Sequence, residues 1–173
     1  STLLKAIMGM GGLQVSGSIQ LDGEEITDLS IDERAKRGIG FALQKSPPIS
    51  ELTLNALLTL IQEKHGTGEL DEKIDSLNCR YLLERGVNEN FSGGEMKRSE
   101  MLQLLVQNPK FILVDEPESG VDLQNIATIG EALRRLIKPL REKGRKNSAL
   151  VITHTGHILD YLNADKGHIL LKG

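Results

Sequence analysis

The chain of 173 residues has no tryptophan, a single cysteine, and phenylalanine and tyrosine amounting to only 3 % of its residues. One cysteine cannot form an internal disulfide, which fits a reducing cytoplasm. One thiolate also cannot hold a metal–sulfur cluster that needs several. Cys79 falls in a helical pattern with Leu77, Tyr81 and Leu82 and is expected to pack in a core. With so few aromatics there is little to stack on bases, and a net charge of −3 without a basic block offers no patch to neutralise phosphates. No nucleic-acid partner is therefore expected. No apolar run approaches the roughly 20 residues that span a bilayer, so direct membrane insertion is not expected and a soluble cytoplasmic protein is.

What is present is one domain's worth of chain with ordinary apolar content, 39 %. Residues 1–9 read as an amphipathic helix opened by Ser1 and Thr2, with Leu3, Leu4 and Ile7 on one face and Gly9 as a stop. Residues 18–26 read as a hairpin turning at Asp22-Gly23, an antiparallel flank to the main sheet. Ser30 with Glu33 spells a capping box for a short helix, and residues 39–43 a strand that delivers Gln44 into a loop. Leu54, Leu57, Leu58 and Ile61 make a helical stripe, residues 65–68 a loop, and a second helix is predicted near residues 69–84. After Asp122 the series Ile126, Ile129, Leu133, Leu136, Ile137 and Leu140 predicts a long amphipathic helix that Pro139 weakens. Residues 149–153 read as a buried strand that ends at His154, and residues 168–171 as an edge strand.

The chemistry concentrates in four short runs. Phe111 to Val114 make a strand buried on both faces, as in a parallel sheet, and Asp115 and Glu116 stand at its carboxyl end. Ligands of open parallel sheets bind at that edge, so one carboxylate can hold Mg²⁺ and the next can orient a water. An acidic strand-to-loop turn is the plainer alternative. Ser92-Gly93-Gly94 precedes a helix that runs to Asn108 and Pro109. It is either a capping turn or a phosphate site made from close backbone approach, a hydroxyl and a helix dipole. Gln44 is a solvated loop residue or a sensor of metal and phosphate, and His154 a satisfied structural histidine or a phosphate contact.

Taken in order, these runs resemble the ATP-binding-cassette (ABC) ATPases along nearly the whole chain. Ser1-Thr2 resembles the tail of the Walker A motif, Gln44 the Q-loop glutamine, and Ser92-Gly93-Gly94-Glu95 the signature motif. Asp115 and Glu116 resemble the Walker B aspartate and catalytic glutamate, Ser119 to Asp122 the D-loop, and His154 the switch histidine. Within that superfamily, Phe-Ser-Gly-Gly-Glu-Met-Lys-Arg-Ser-Glu, Asp-Glu-Pro-Glu-Ser-Gly-Val-Asp and Thr-His-Thr-Gly-His-Ile-Leu-Asp-Tyr-Leu look most like the SufC ATPases of iron–sulfur cluster assembly.

The resemblance implies an α/β P-loop NTPase fold of ABC type: a mostly parallel sheet with flanking helices, an antiparallel β flank, and a helical arm over about residues 50–108. It implies ATP hydrolysis with Mg²⁺. Ser1, Gln44 and Asp115 would bind the metal, Glu116 would orient the water, His154 would meet the γ-phosphate, and Thr2 would belong to the nucleotide site. Ser92, Gly93 and Gly94 would act in trans in an ATP-dependent head-to-tail homodimer, with Asp122 coupling its two sites. Soluble Suf scaffold proteins of the SufB/SufD type would be the partners. The chain starts inside a motif, so residues 1–173 are expected to be one ABC ATPase domain without its N-terminal strands and phosphate loop. The stretch from Gln44 to Ser92 is also short for the resemblance. Two alternatives share the residues: a transporter's nucleotide-binding subunit, and a catalytically silent interaction module.

Overall fold

The computed structural model describes residues 1–65, 69–137 and 147–171. Of the loop expected at residues 65–68, His65 is instead the last residue of a helix and residues 66–68 lie outside the described residues, as do Pro139, the expected kink, and Leu140. Helix α1 (Thr2–Met8) ends at Gly9 in left-handed backbone, φ 75°. Strands β1 (Gln20–Leu21) and β2 (Glu24–Glu25) form the expected hairpin. Its turn residues Asp22 and Gly23 have φ of 53° and 84°, the positive pair that a two-residue hairpin loop requires. Helix α2 (Ile31–Lys36) opens with the capping box of Ser30 and Glu33, and β3 (Ile39–Ala42) follows.

Arg34 on α2 is 3 % exposed and ties these pieces together. Its guanidinium donates to the carbonyls of Leu29 and Thr27, and to those of Ala6 and Ile7 at 3.0 and 2.7 Å. The last two belong to the final turn of α1, whose carbonyls have no partner inside the helix, and a cation there also complements the helix dipole. Its planar fork serves several acceptors at once.

Strand β4 (Ile49–Thr53) leads into α3 (Leu54–His65), α4 (Leu70–Ser76), a 3₁₀ turn (Arg80–Leu82) and β5 (Gly86–Val87). The sequence reading did not foresee β4 and β5, which pair antiparallel across a bulge. The helix expected over residues 69–84 stops early, because Asn78 takes a left-handed φ of 49° and Cys79 donates back to the Ile74 carbonyl. Arg98 then caps the freed carbonyls of Leu77 and Asn78 at 2.9 and 2.7 Å.

Helix α5 (Gly93–Gln107), strand β6 (Phe111–Asp115), helix α6 (Leu123–Ile137) and strand β7 (Ser148–Ile152) complete the regular elements. The main sheet is parallel, in the order β3-β6-β7. Ile112, Leu113 and Val114 on its central strand have no exposed surface. Because side chains alternate faces along a strand, Leu113 joins Leu4, Met8, Ile26 and Ile39 on one side. Ile112 and Val114 join Leu102, Leu104, Ile129 and Leu133 on the other. Each such burial stabilises by about 1.5–3 kcal/mol. The stripe foreseen on α6 is buried at Ile126, Ile129, Leu133 and Leu136.

The edge strand expected at residues 168–171 is absent, and Ile169, Leu170 and Leu171 are 87 %, 70 % and 82 % exposed. An apolar run becomes a strand only when a neighbouring edge takes up its backbone hydrogen bonds, and among the described residues none does so here.

Candidate functional site

Parallel strands send their carboxyl ends to one edge, and the chemistry gathers there. Asp115 closes β6 and Glu116 follows it; Gln44 comes shortly after β3 and His154 shortly after β7. Gln44 Nε2 donates to Glu116 Oε2 at 2.8 Å. His154 Nε2 lies 2.8 Å from Glu116 Oε1. Both carboxylate oxygens of Glu116 are thus gripped, one from each neighbouring strand. Glu116 is 16 % exposed and His154 75 %, so the imidazole forms the solvent-facing lip.

The backbone of Glu116 is left-handed, with φ 49°. For a residue with a Cβ this costs about 1–2 kcal/mol, and such strain gathers at functional sites. Two bonds hold it in place: Glu116 N–H donates to the Ile152 carbonyl at 2.9 Å, and Ser119 N–H donates to the Glu116 carbonyl at 3.1 Å.

Asp115 is 1 % exposed, and neither of its carboxylate oxygens has a hydrogen-bond partner among the described residues. A buried carboxylate left bare is costly, and its chemistry fits a hard cation. The backbone nitrogen of Ser1 comes within 3.5 Å of Asp115 Oδ1. Ser1 caps α1 without using its hydroxyl for the cap, and exposed Thr2 begins the helix. The residues that could hold Mg²⁺ are therefore Asp115 and Ser1, with Gln44 at the same edge. Among the described residues no three His, Cys, Asp or Glu side chains form a cage for a metal. Most of such an ion's oxygens would come from substrate and water.

Ser92, Gly93 and Gly94 form a separate cluster. Ser92 is the N-cap of α5 in a full capping box with Glu95: Ser92 N–H donates to Glu95 Oε2 at 2.7 Å, and Glu95 N–H to Ser92 Oγ at 3.3 Å. The cap and the exposed hydroxyl coexist, so neither sequence-based alternative is lost. A methyl group on Gly93 would collide with the carbonyl of Gly120, and one on Gly94 would stand 2.7 Å from Asn125 Nδ2. These glycines admit the backbone of Gly120 and the side chain of Asn125. Asp122 accepts from Asn125 N–H at 2.9 Å and from its side-chain amide at 2.7 Å, which caps α6 and holds the Asp122 carboxyl below its ordinary range.

Two buried charged groups escaped the sequence reading. Lys97 (3 % exposed) donates to the Leu43 carbonyl and to Glu100 Oε2, and Ser46 donates to Glu100 Oε1. This clamp joins α5 to both sides of Gln44. Burial pushes the Glu100 carboxyl up, with Lys97 and the hydroxyl of Ser46 opposing. Lys97, Arg98 and Glu100 span about 160° of a helix at 3.6 residues per turn, an arc that can face water, so the sequence alone held no signal for their burial. The second group is Glu118, 7 % exposed, whose Oε1 accepts from Thr153 and from Thr155 on either side of His154.

A family model described as ABC transporter matches residues 1–119. A probable ABC transporter ATP-binding protein of Streptococcus pyogenes serotype M3 is 36 % identical over 186 residues, covering all of this chain and 70 % of that protein. Vegetative protein 296 of Bacillus subtilis is 32 % identical, with all of this chain and 69 % of that one covered. A probable ATP-dependent transporter, ycf16, of Cyanidium caldarium is also 32 % identical, with 100 % and 72 % covered. Among solved structures, a nucleotide-free ATP-binding cassette from an ABC transporter superposes with a TM-score of 0.67 at 24 % identity, over 93 % of this chain and 68 % of that one. A dimeric cassette in a post-hydrolysis state with ADP and Pi gives 0.68 at 24 %, over 92 % and 72 %. These two share the fold: the ABC-type P-loop NTPase architecture of parallel sheet and flanking helices. A family match over most of the length, joined to relatives of this identity along all of it, has one meaning: the chain belongs to the ABC transporter family.

Proposed function

We propose that this chain hydrolyses ATP to ADP and phosphate and uses the closure of a head-to-tail homodimer to drive a Suf-type scaffold for iron–sulfur cluster assembly. The observation that carries the hydrolytic part is Glu116, strained, gripped at both oxygens by Gln44 and His154, and set beside the buried carboxylate of Asp115, which has no hydrogen-bond partner among the described residues.

Phosphoryl transfer depends mainly on positioning and charge stabilisation. Asp115, Ser1 and Gln44 would hold Mg²⁺, which would supply the positive charge that offsets the phosphate oxygens. Glu116 orients the attacking water and accepts its proton. His154, on the exposed lip, donates to the γ-phosphate, and Thr2 at the start of α1 belongs to the phosphate end of the nucleotide. Ser92, Gly93 and Gly94 of one protomer meet the nucleotide of the other, and Asp122, bonded to the Asn125 that lies against Gly94, couples the two sites. ATP makes contacts that exist only in the closed pair, and so it shifts the equilibrium toward closure.

The receiving partner docks beside the loop after Gln44. Pro47, Pro48 and Ile49 are exposed there, and a groove of about 420 Å³ lies alongside, with Leu57, Leu60 and Gln103 in its walls. The Lys97–Glu100–Ser46 clamp carries movement of α5 into that loop. None of the helices among the described residues is long and apolar enough to cross a membrane. A transporter subunit is the second reading, favoured by the names of the Streptococcus and Cyanidium relatives.

Affinity capture of the full-length protein from its native cells decides between them. Recovery of a Suf-type scaffold, lost with Ile49→Asp, supports the first reading. Recovery of an integral membrane permease without scaffold establishes the second.

A further inference from the structure

Glu118 is a buried carboxylate to which the hydrolytic roles above assign no task. Its Oε1 accepts from Thr153 Oγ1 and, at 2.9 Å, from Thr155 Oγ1, while its Oε2 is buried without a partner among the described residues. Thr153 Oγ1 in turn accepts from Gly156 N–H at 2.9 Å. The residue between the two threonines is His154. Its side chain is 75 % exposed, and no packing against the core fixes its position. It has left β7, which ends at Ile152, and precedes a 3₁₀ turn that begins at His157.

We infer that Glu118 is a positioning residue for His154. The inference rests on the hydrolytic reading of His154 and Glu116 given above. By pinning the hydroxyls on both sides, Glu118 fixes the backbone from which the imidazole projects and so sets its 2.8 Å approach to Glu116. Glu116 and Glu118 lie on the same short segment after β6. The carboxylate that orients water and the one that places its histidine partner therefore move as one piece. Glu118 itself touches neither nucleotide nor water.

A misplacement of about 1 Å in a reacting constellation costs about 10²-fold in rate. Glu118→Ala is accordingly expected to lower kcat for ATP about 10²-fold with little change in KM. Glu118→Gln, whose amide oxygen accepts from both hydroxyls, should restore most of it. Thr155→Val removes one tether from the other side and should reproduce part of the loss in a well-folded chain. In a His154→Ala background Glu118→Ala should cost nothing further, because it acts through His154. Hydrogen exchange at the Gly156 amide, which needs no turnover, should accelerate in Glu118→Ala and remain slow in Glu118→Gln. Wild-type kcat in Glu118→Ala, a full additional loss in the His154→Ala background, or unchanged Gly156 exchange in Glu118→Ala would each overturn the inference. A wild-type protein that hydrolyses no ATP would sink the hydrolytic reading and with it the role of His154. The exchange result would still report whether Glu118 holds the loop.

Discussion

Glu116→Gln is the sharpest perturbation available, because it changes one atom type and leaves the shape of the site almost unchanged. Gln44 Nε2 donates to one carboxylate oxygen at 2.8 Å, and the amide oxygen of glutamine accepts the same bond. At the other oxygen the new NH₂ faces His154 Nε2, also 2.8 Å away, and the imidazole meets it by carrying its proton on Nδ1. Both contacts survive the exchange. The cost in stability should therefore be under about 1 kcal/mol, the scale of one neutral hydrogen bond. What is lost is the proton acceptor, and removal of a positioned base slows reactions by about 10²–10⁴-fold, or about 3–5 kcal/mol of barrier. Phosphate release and nucleotide binding measured on the same full-length preparation separate the two effects. The expected result is near-normal binding with turnover reduced at least about 10²-fold. Hydrolysis within a few-fold of wild type would refute the role, and a variant that fails to bind nucleotide would refute the isosteric argument.

Arg34→Met should destabilise the chain by about 3–5 kcal/mol, since it strips donors from carbonyls of Ala6, Ile7, Thr27 and Leu29. Arg34→Lys should rescue only part of the drop in Tm, because one ammonium cannot reach all four carbonyls. Cys79 is fully buried and burial pushes its thiol up to about 11, so a thiol reagent at pH 8 should leave it unlabelled until the chain is unfolded. Glu25 is held down to about 2, first by the Ser18 hydroxyl and then by that of Thr27, from an ordinary value of 4.5. Its support of the β1–β2 hairpin is complete above pH 4.5 and is lost as pH falls through about 2. NMR of the Ile19 and Thr27 amides, which both donate to Glu25, should follow that loss, and Glu25→Gln should abolish the pH dependence.

Local signals carried much of this fold. The apolar run ending in Asp115-Glu116 read as a strand buried on both faces of a parallel sheet, and Ser30 with Glu33 marked the helix that starts at Ile31. Gln44 and His154 were legible as strand-end residues, and parallel topology alone brings them to Glu116. The missed features are those that depend on distant partners. Gly86 and Val87 make too short a run to announce a strand, and they become one only because β4 lies beside them. The expected helix over residues 69–84 ran through Asn78, whose left-handed backbone marks its end. Glu118 drew no reading of its own, since nothing near it in sequence shows that Thr153 and Thr155 will arrive to meet it. At residues 168–171 the error ran the other way, from apolar composition to a strand that finds no edge to join among the described residues.

The central claim is that ATP is cut at the carboxyl edge of β3, β6 and β7. A structure of full-length Glu116→Gln protein with ATP and Mg²⁺ tests it most directly. The γ-phosphate should lie within hydrogen-bond reach of His154 and beside residue 116, with the metal against Asp115 and Ser92–Gly94 of a second protomer across the nucleotide. Nucleotide bound on another surface, or bound at this edge with His154 and residue 116 turned away from the γ-phosphate, would contradict the account.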